Sequence, residues 1–105
     1  MVSRAAVLDF VDRLAQAFSP RRVVLFGSHA RATAGPDSDV DLLVVMPTDK
    51  RPVEQALEIR RRIPHSFPLD LLVRTPQDVR DRLAQNDIFL TAIICEGETL
   101  YESPG

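Results

Sequence analysis

The stretch GSHARATAGPDSDVDLL, residues 27–43, places Gly27 and Ser28 ahead of Asp39 and Asp41, two carboxylates that flank one apolar residue. A third, Asp70, interrupts the apolar run PLDLLV. Carboxylates brought together repel: at an effective dielectric of about 20, two of them roughly 4 Å apart cost on the order of 4 kcal/mol, a large share of a small domain's stability. The pattern implies a cation supplied from outside the chain. On a strand, Asp39 and Asp41 project from the same face with Cα atoms roughly 6.6 Å apart. In the run LDLLVR, Leu69, Leu71 and Val73 point one way and Asp70 the other, so Asp70 joins the pair if the two strands are neighbours in the right register. Three hard oxygen ligands suit magnesium, which tolerates few protein carboxylates and completes its octahedron with water and substrate phosphates. Gly27-Ser28 supplies the complementary half, because a glycine turn opening a helix aims backbone N–H groups and the positive dipole end at an anion. The Ser28 hydroxyl adds a donor. A nucleoside triphosphate bridging the turn and the carboxylates has its α-phosphorus near Asp70, in place for in-line attack by a hydroxyl. The chemistry implied is nucleotidyl transfer.

The elements that must hold these groups are readable from periodicity and punctuation. Val7, Phe10, Val11, Leu14 and Phe18 repeat at helical spacing behind Ser3 as N-cap, and Pro20 ends the pattern. RRVVLFGS is a short strand stopping at Gly27, and HARATA forms a brief helix closed by Gly35 as a left-handed cap with Pro36 beyond. DVDLLVVM is a second strand, apolar on both faces from Leu42 to Met46 and so central in a sheet covered on both sides, ended by Pro47. Pro52 opens a second long helix, expected to carry Val53, Ala56, Leu57 and Ile63 inward, with Arg60 to Arg62 in its last turn and Pro64 as its stop. LDLLVR is a third strand. Thr75 caps a helix with Pro76 in its first position, closing near Asn86, and DIFLTAIICEG is a last helix ending at Gly97 before ETLYE as an edge strand or extended tail. With no repeat, low-complexity tract or linker, one α/β domain spanning residues 1–105 is expected.

Bulk composition narrows the classes. A chain of 105 residues, 45% hydrophobic, builds one core but not separate nucleotide and acceptor lobes, so an acceptor is expected to be held largely by another molecule. The formal net charge of −2 disfavours gripping an extended nucleic acid, which needs a basic face. The single cysteine, Cys95, cannot form an internal disulfide, and no stretch has the pattern of a secretory leader or the apolar length of a membrane span. A cytoplasmic protein without membrane association is expected.

Gly27, Ser28, Ala30 and Arg31, followed by Ser38, Asp39, Asp41 and Leu42, resemble the glycine-serine and paired-aspartate signature of the DNA polymerase beta-like nucleotidyltransferase superfamily. More closely, the chain resembles a minimal nucleotidyltransferase (MNT) domain, nearly end to end. The resemblance implies the nucleotidyltransferase fold, a small mixed central sheet flanked by helices, and a magnesium-dependent transferase using ATP. It implies Asp39, Asp41 and Asp70 as metal ligands, Asp70 also activating the acceptor hydroxyl, and Gly27 and Ser28 holding the triphosphate. It also implies a hetero-oligomeric partner, because many such domains are the antitoxin of a pair with an all-helical HEPN-type toxin, typically an RNase, which they silence by attaching AMP. One position departs from the pattern. Many relatives have glycine after the arginine where this chain has Ala32, so no left-handed turn is expected there and the helix is expected to run on toward Gly35.

Plainer readings stand beside these. Asp39 and Asp41 could be a solvated strand start, and Asp70 an exposed alternate position on an edge strand. Arg31 has two readings: it reaches a phosphate, as a nucleotide-binding residue, or pairs with Asp37 or another local acid. His29 and His65 read as surface or turn residues, Cys95 as a buried small hydrophobe, and Tyr101 and Arg60 to Arg62 as surface structure able to meet a partner. Two further functions share the site: an antitoxin that works by occlusion without catalysis, and a small-molecule nucleotidyltransferase. The acceptor most compatible with the protein-modifying reading is a tyrosine hydroxyl.

Overall fold

The computed structural model describes residues 2–35 and 38–104. The elements run α1 (Arg4–Phe18), β1 (Arg22–Phe26), β2 (Val40–Val45), α2 (Pro52–Arg62), β3 (Leu69–Arg74), α3 (Pro76–Ala84), α4 (Ile88–Glu96) and β4 (Glu98–Glu102). Their ends follow from local chemistry. Ser3 accepts a hydrogen bond from the Ala6 N–H at the start of α1, Thr75 accepts from Asp78 N–H at α3, and Asp87 accepts from Leu90 N–H at α4. Pro52 and Pro76 sit in the first turns of their helices, where a missing N–H costs nothing. Pro36, expected just beyond the cap at Gly35, lies outside the described residues.

The strands form one mixed sheet in the order β3-β2-β1-β4. β1 pairs antiparallel with both β2 and β4, whereas β2 and β3 are parallel, joined by the α2 crossover. β2 is therefore internal, and Leu42, Leu43 and Val44 are all fully buried, as its unbroken apolar run requires. Alternation splits the core in two. Val23, Leu25, Val40, Leu42 and Val44 pack with α1 and with Ile59 and Ile63 of α2, while Val24, Leu43 and Val45 pack with Val79 of α3 and Leu90 and Ile93 of α4. ETLYE is the edge strand β4.

The other edge, β3, is blunted. Val40 N–H and Met46 N–H bond the carbonyls of Pro68 and Arg74, so the even-numbered carbonyls turn toward β2 and the odd-numbered ones face outward. The Arg60 guanidinium donates to the Leu69 carbonyl at 2.6 Å and that of Arg74 to the Val73 carbonyl at 2.8 Å. Two of the outward acceptors are thus occupied, which discourages addition of another strand.

Three sequence expectations are corrected. In α2, Val53 (72% exposed) and Leu57 (51%) face outward, while Gln55, Ile59 and the cap residue Ile63 are buried and Ala56 is partly so. At 3.6 residues per turn, a stripe centred on Ile59 and Ile63 leaves Val53 and Leu57 roughly 100–140° round the axis. Gln55 can be buried because its side-chain carbonyl accepts from the Thr48 hydroxyl at 2.7 Å and its amide donates to Glu58 at 3.0 Å. Cys95 is exposed, since the buried stripe of α4 runs through Leu90 and Ile93. HARATA forms turns and not a helix, and Ala32 does take the left-handed conformation, with φ 59°. The Arg31 N–H bonds the Gly27 carbonyl at 3.2 Å and the Thr33 N–H reaches back to the Ser28 carbonyl at 2.9 Å. That six-residue closure is the kind that ends a helix through a left-handed residue, so the chain turns at Ala32 and not at Gly35.

Candidate active site

Gly27 follows β1 with φ 76°, a conformation glycine adopts without penalty. A Cβ at this position would lie 2.3 Å from Asp41 Oδ2, so the backbone of the turn is pressed directly against the carboxylate of β2. The sequence predicted the turn; the contact with Asp41 is a tertiary fact. Register then lays out a row of side chains. Phe26 is the cross-strand partner of Asp41 and Asp41 that of Asp70, so Phe26, Asp41 and Asp70 stand side by side on the face that carries α3 and α4. The conditional expectation that β2 and β3 are neighbours with Asp70 beside the pair is met. Asp39 precedes the strand and lies two residues before Asp41.

The electrostatics identify Asp41 as the stressed member. Its carboxyl is held above the ordinary aspartate range, first by partial burial, then by the charges of Asp70 and Asp39, with His29 opposing. Asp39 and Asp70 are exposed. Among the described residues no three His, Cys, Asp or Glu side chains form a ready-made metal-holding group. Magnesium needs no such cage, because it is held by one or two carboxylates, waters and substrate phosphates. An acidic row whose central member is destabilised as an anion is chemically suited to that ion, and Asp41 with Asp39 or Asp70 could hold it.

The loop between turn and carboxylates is tied internally. His29, half-buried, donates from Nε2 to the Ser38 carbonyl at 3.2 Å, and the Ser38 hydroxyl accepts from the Gly35 N–H at 2.9 Å. His29, which read as a surface or turn residue, thus fastens the Gly27-Ser28 turn to the approach to Asp39. Isolated histidines carry no spacing signal, so only the fold reveals this role. Ser28 is half-buried in the turn, and its carbonyl is committed to Thr33. Arg31 is exposed and its side chain has no ion-pair or hydrogen-bond partner among the described residues; Asp37, one of its expected partners, lies outside them.

Beyond the turn is a cavity of about 280 Å³, lined among others by Phe26, Gly27, Ala30, Arg31, Phe89 and Glu96. Phe89 is 57% exposed and meets Phe26 edge to face, with ring centroids 6.0 Å apart. Sequence reasoning missed this cavity. The one available signal was parity, since Phe26 must share a face with Asp41 once β1 and β2 pair.

A glycine turn packed on an acidic row at the end of a mixed sheet is the arrangement expected of a nucleotidyl-transferring domain. The sequence matches the nucleotidyltransferase domain family over residues 7–95, and the chain belongs to that family, with the architecture of its minimal, MNT-type members. It is similar to a Sulfolobus solfataricus structure assigned as a nucleotidyltransferase, with 25% identity and a TM-score of 0.59, covering 74% of this chain and 70% of that one. It is also similar in fold to a toxin-antitoxin structure with AMP-PNP, with 19% identity and a TM-score of 0.57, covering 92% of this chain and 74% of the other. No curated protein matches the chain. Among the described residues no helix is long and apolar enough to cross a membrane.

Proposed function

We propose that this chain is a magnesium-dependent nucleotidyltransferase that moves AMP from ATP to a tyrosine hydroxyl of an all-helical HEPN-type toxin, and so acts in the cytoplasm as its antitoxin. The observation that carries the reading is the contact between the Gly27 backbone and the Asp41 carboxylate, within a row that ends at Asp70. Donor-binding and metal-binding groups are thereby within one nucleotide's reach. The toxin partner and a hetero-oligomeric assembly are supported by the similarity in fold to a toxin-antitoxin structure that holds AMP-PNP.

Each residue then has a task. The Gly27-Ser28 turn donates to the β- and γ-phosphates, and Arg31 is free to add a charged donor. Asp39 and Asp41, with Asp70, are the groups that would hold magnesium, which when bound neutralises charge on the α-phosphate and the leaving pyrophosphate. Asp70, exposed at the outer end of the row, orients the acceptor hydroxyl and takes its proton. The hydroxyl oxygen forms a bond to the α-phosphorus as the bond to the β-phosphate oxygen breaks, and pyrophosphate leaves.

Co-expression with a candidate all-helical toxin partner, followed by intact mass spectrometry, tests the reading. The wild type should add the mass of AMP to a partner tyrosine, while Asp70→Asn should bind the partner and ATP yet leave the partner unmodified. A partner neutralised without modification by both forms would mean occlusion and overturn the catalytic reading.

A further inference from the structure

We propose that the groove between α2 and the free edge of β3 is the docking seat of the protein acceptor, and that it takes an amphipathic helix with carboxylates along its flank. The inference rests on the transferase reading, in which Asp70 meets the acceptor hydroxyl, and adds to it the surface that brings the hydroxyl there. A cavity of about 200 Å³ opens at this edge, lined by Val53, Leu57 and Arg60 of α2 and by the β3 residues from Asp70 to Arg74. It gives the outward apolar residues of α2 a place: Val53 is 72% exposed and Leu57 51%, yet both stand on the wall of a groove. Residues of both parities line it, Leu71 from the face that carries α2 and Leu72 from the opposite one, so the groove wraps the sheet edge. It therefore leads from the outer flank of α2 to the face on which Asp70 stands beside Asp41.

Shape and charge narrow the occupant. Arg60 bonds the Leu69 carbonyl at the head of β3, so α2 runs back along the strand and Val53 lies toward the Arg74 end. From Val53 to Arg60 is roughly 10 Å, two turns of helix. Two outward carbonyls of β3 are already taken by Arg60 and Arg74, which disfavours an added strand and leaves apolar side-chain contact as the means of docking. The charged side chains on the groove are these two guanidiniums and, at one end, Asp70. Arg74 also pairs with Asp78 at 3.5 Å, so Arg60 has more donors to spare. A second copy of this chain, related by a twofold axis, would set the cationic rim against itself. The fit is instead to a different protein, with carboxylates beside its apolar stripe and a hydroxyl at the end that reaches Asp70.

The test uses the co-expressed helical toxin, with affinity of the purified proteins measured by calorimetry and AMP addition by intact mass. Val53→Gln combined with Leu57→Gln, both at exposed positions, should weaken the complex at least about tenfold and reduce AMP addition in step, while magnesium-dependent ATP binding and the melting temperature stay at wild-type values. Arg60→Gln should also weaken the complex, by a factor that shrinks as ionic strength rises. Ile88→Gln, on an apolar side chain of α4 that is 86% exposed and outside the groove, should leave the affinity unchanged. If either groove variant binds the toxin as the wild type does, or Ile88→Gln weakens it equally, the groove is not the seat and the inference is overturned while the transferase reading stands. If the double variant alters only self-association of this chain, a second copy is the occupant and the inference is again overturned. If the wild type neither binds nor modifies the toxin, the partner reading fails and this inference with it.

Discussion

At the scale of single residues, Asp41 concentrates the tension of the site. Its carboxyl is raised by burial and by the charges of Asp70 and Asp39. A carboxyl whose pKa is raised on folding contributes stability that is fully present below its unfolded pKa and is lost as pH rises through the folded value. Asp41→Asn, which mimics the protonated form, should therefore melt higher than the wild type at neutral pH without metal, with the gap closing as pH falls below the carboxylate range. Thermal unfolding at acidic and neutral pH checks this, and a pH-independent difference would contradict it. Ala32 is a second stressed residue, since a left-handed alanine costs roughly 1–2 kcal/mol where glycine costs little. Ala32→Gly should stabilise the chain by about 1 kcal/mol in a denaturant titration, and a loss of stability would show that the turn is not held as described. Alanine here reads as a helix former, so its conformation could not be seen in the sequence. It is imposed by the Thr33-to-Ser28 closure and the His29 tie to Ser38, which are contacts rather than propensities.

At the scale of elements, what was legible was what is decided locally. Ser3, Pro52, Thr75 and Pro76 mark helix starts because caps and proline act within one turn, and β2 is legible as central because no polar residue interrupts Leu42 to Met46. The orientation of α2 was not legible. Val53 and Leu57 are as apolar as Ile59, and only the geometry of the crossover onto β3 selects which stripe is buried. Ile59→Ala should accordingly cost about 2–5 kcal/mol, whereas Leu57→Gln should stay within about 0.5 kcal/mol of wild type. Chemical denaturation of both variants is the check, and comparable losses would mean that the outer face of α2 is packed. The Arg4–Glu98 pair, with Arg4 Nη1 3.0 Å from Glu98 Oε1, joins α1 to β4 and holds the Glu98 carboxyl below its usual range. Its contribution is present above the unfolded pKa and is lost as pH falls, the opposite sign to Asp41, and both side chains are exposed enough for solvent to keep it small.

At the scale of the whole molecule, the two faces of the sheet have different work. One is sealed by α1 and α2; the other is covered by α3 and α4 but leaves the end bearing Phe26, Asp41 and Asp70 open beside the Gly27 turn. The row was half legible: Asp39 and Asp41 announce themselves by spacing, and Asp70 by interrupting an apolar run, but its pairing with Asp41 needed the register, and the aromatic cavity needed α4 in place. Because the proposed donor-binding and metal-binding groups meet at that open end, the account requires ATP binding to depend on a divalent cation through the acidic pair. The most direct test is calorimetry of ATP binding with and without magnesium for the wild type, Asp39→Asn and Asp41→Asn. The account predicts magnesium-dependent binding in the wild type and a sharp loss in both variants, with the fold retained; equal magnesium-dependent affinity in all three would contradict it.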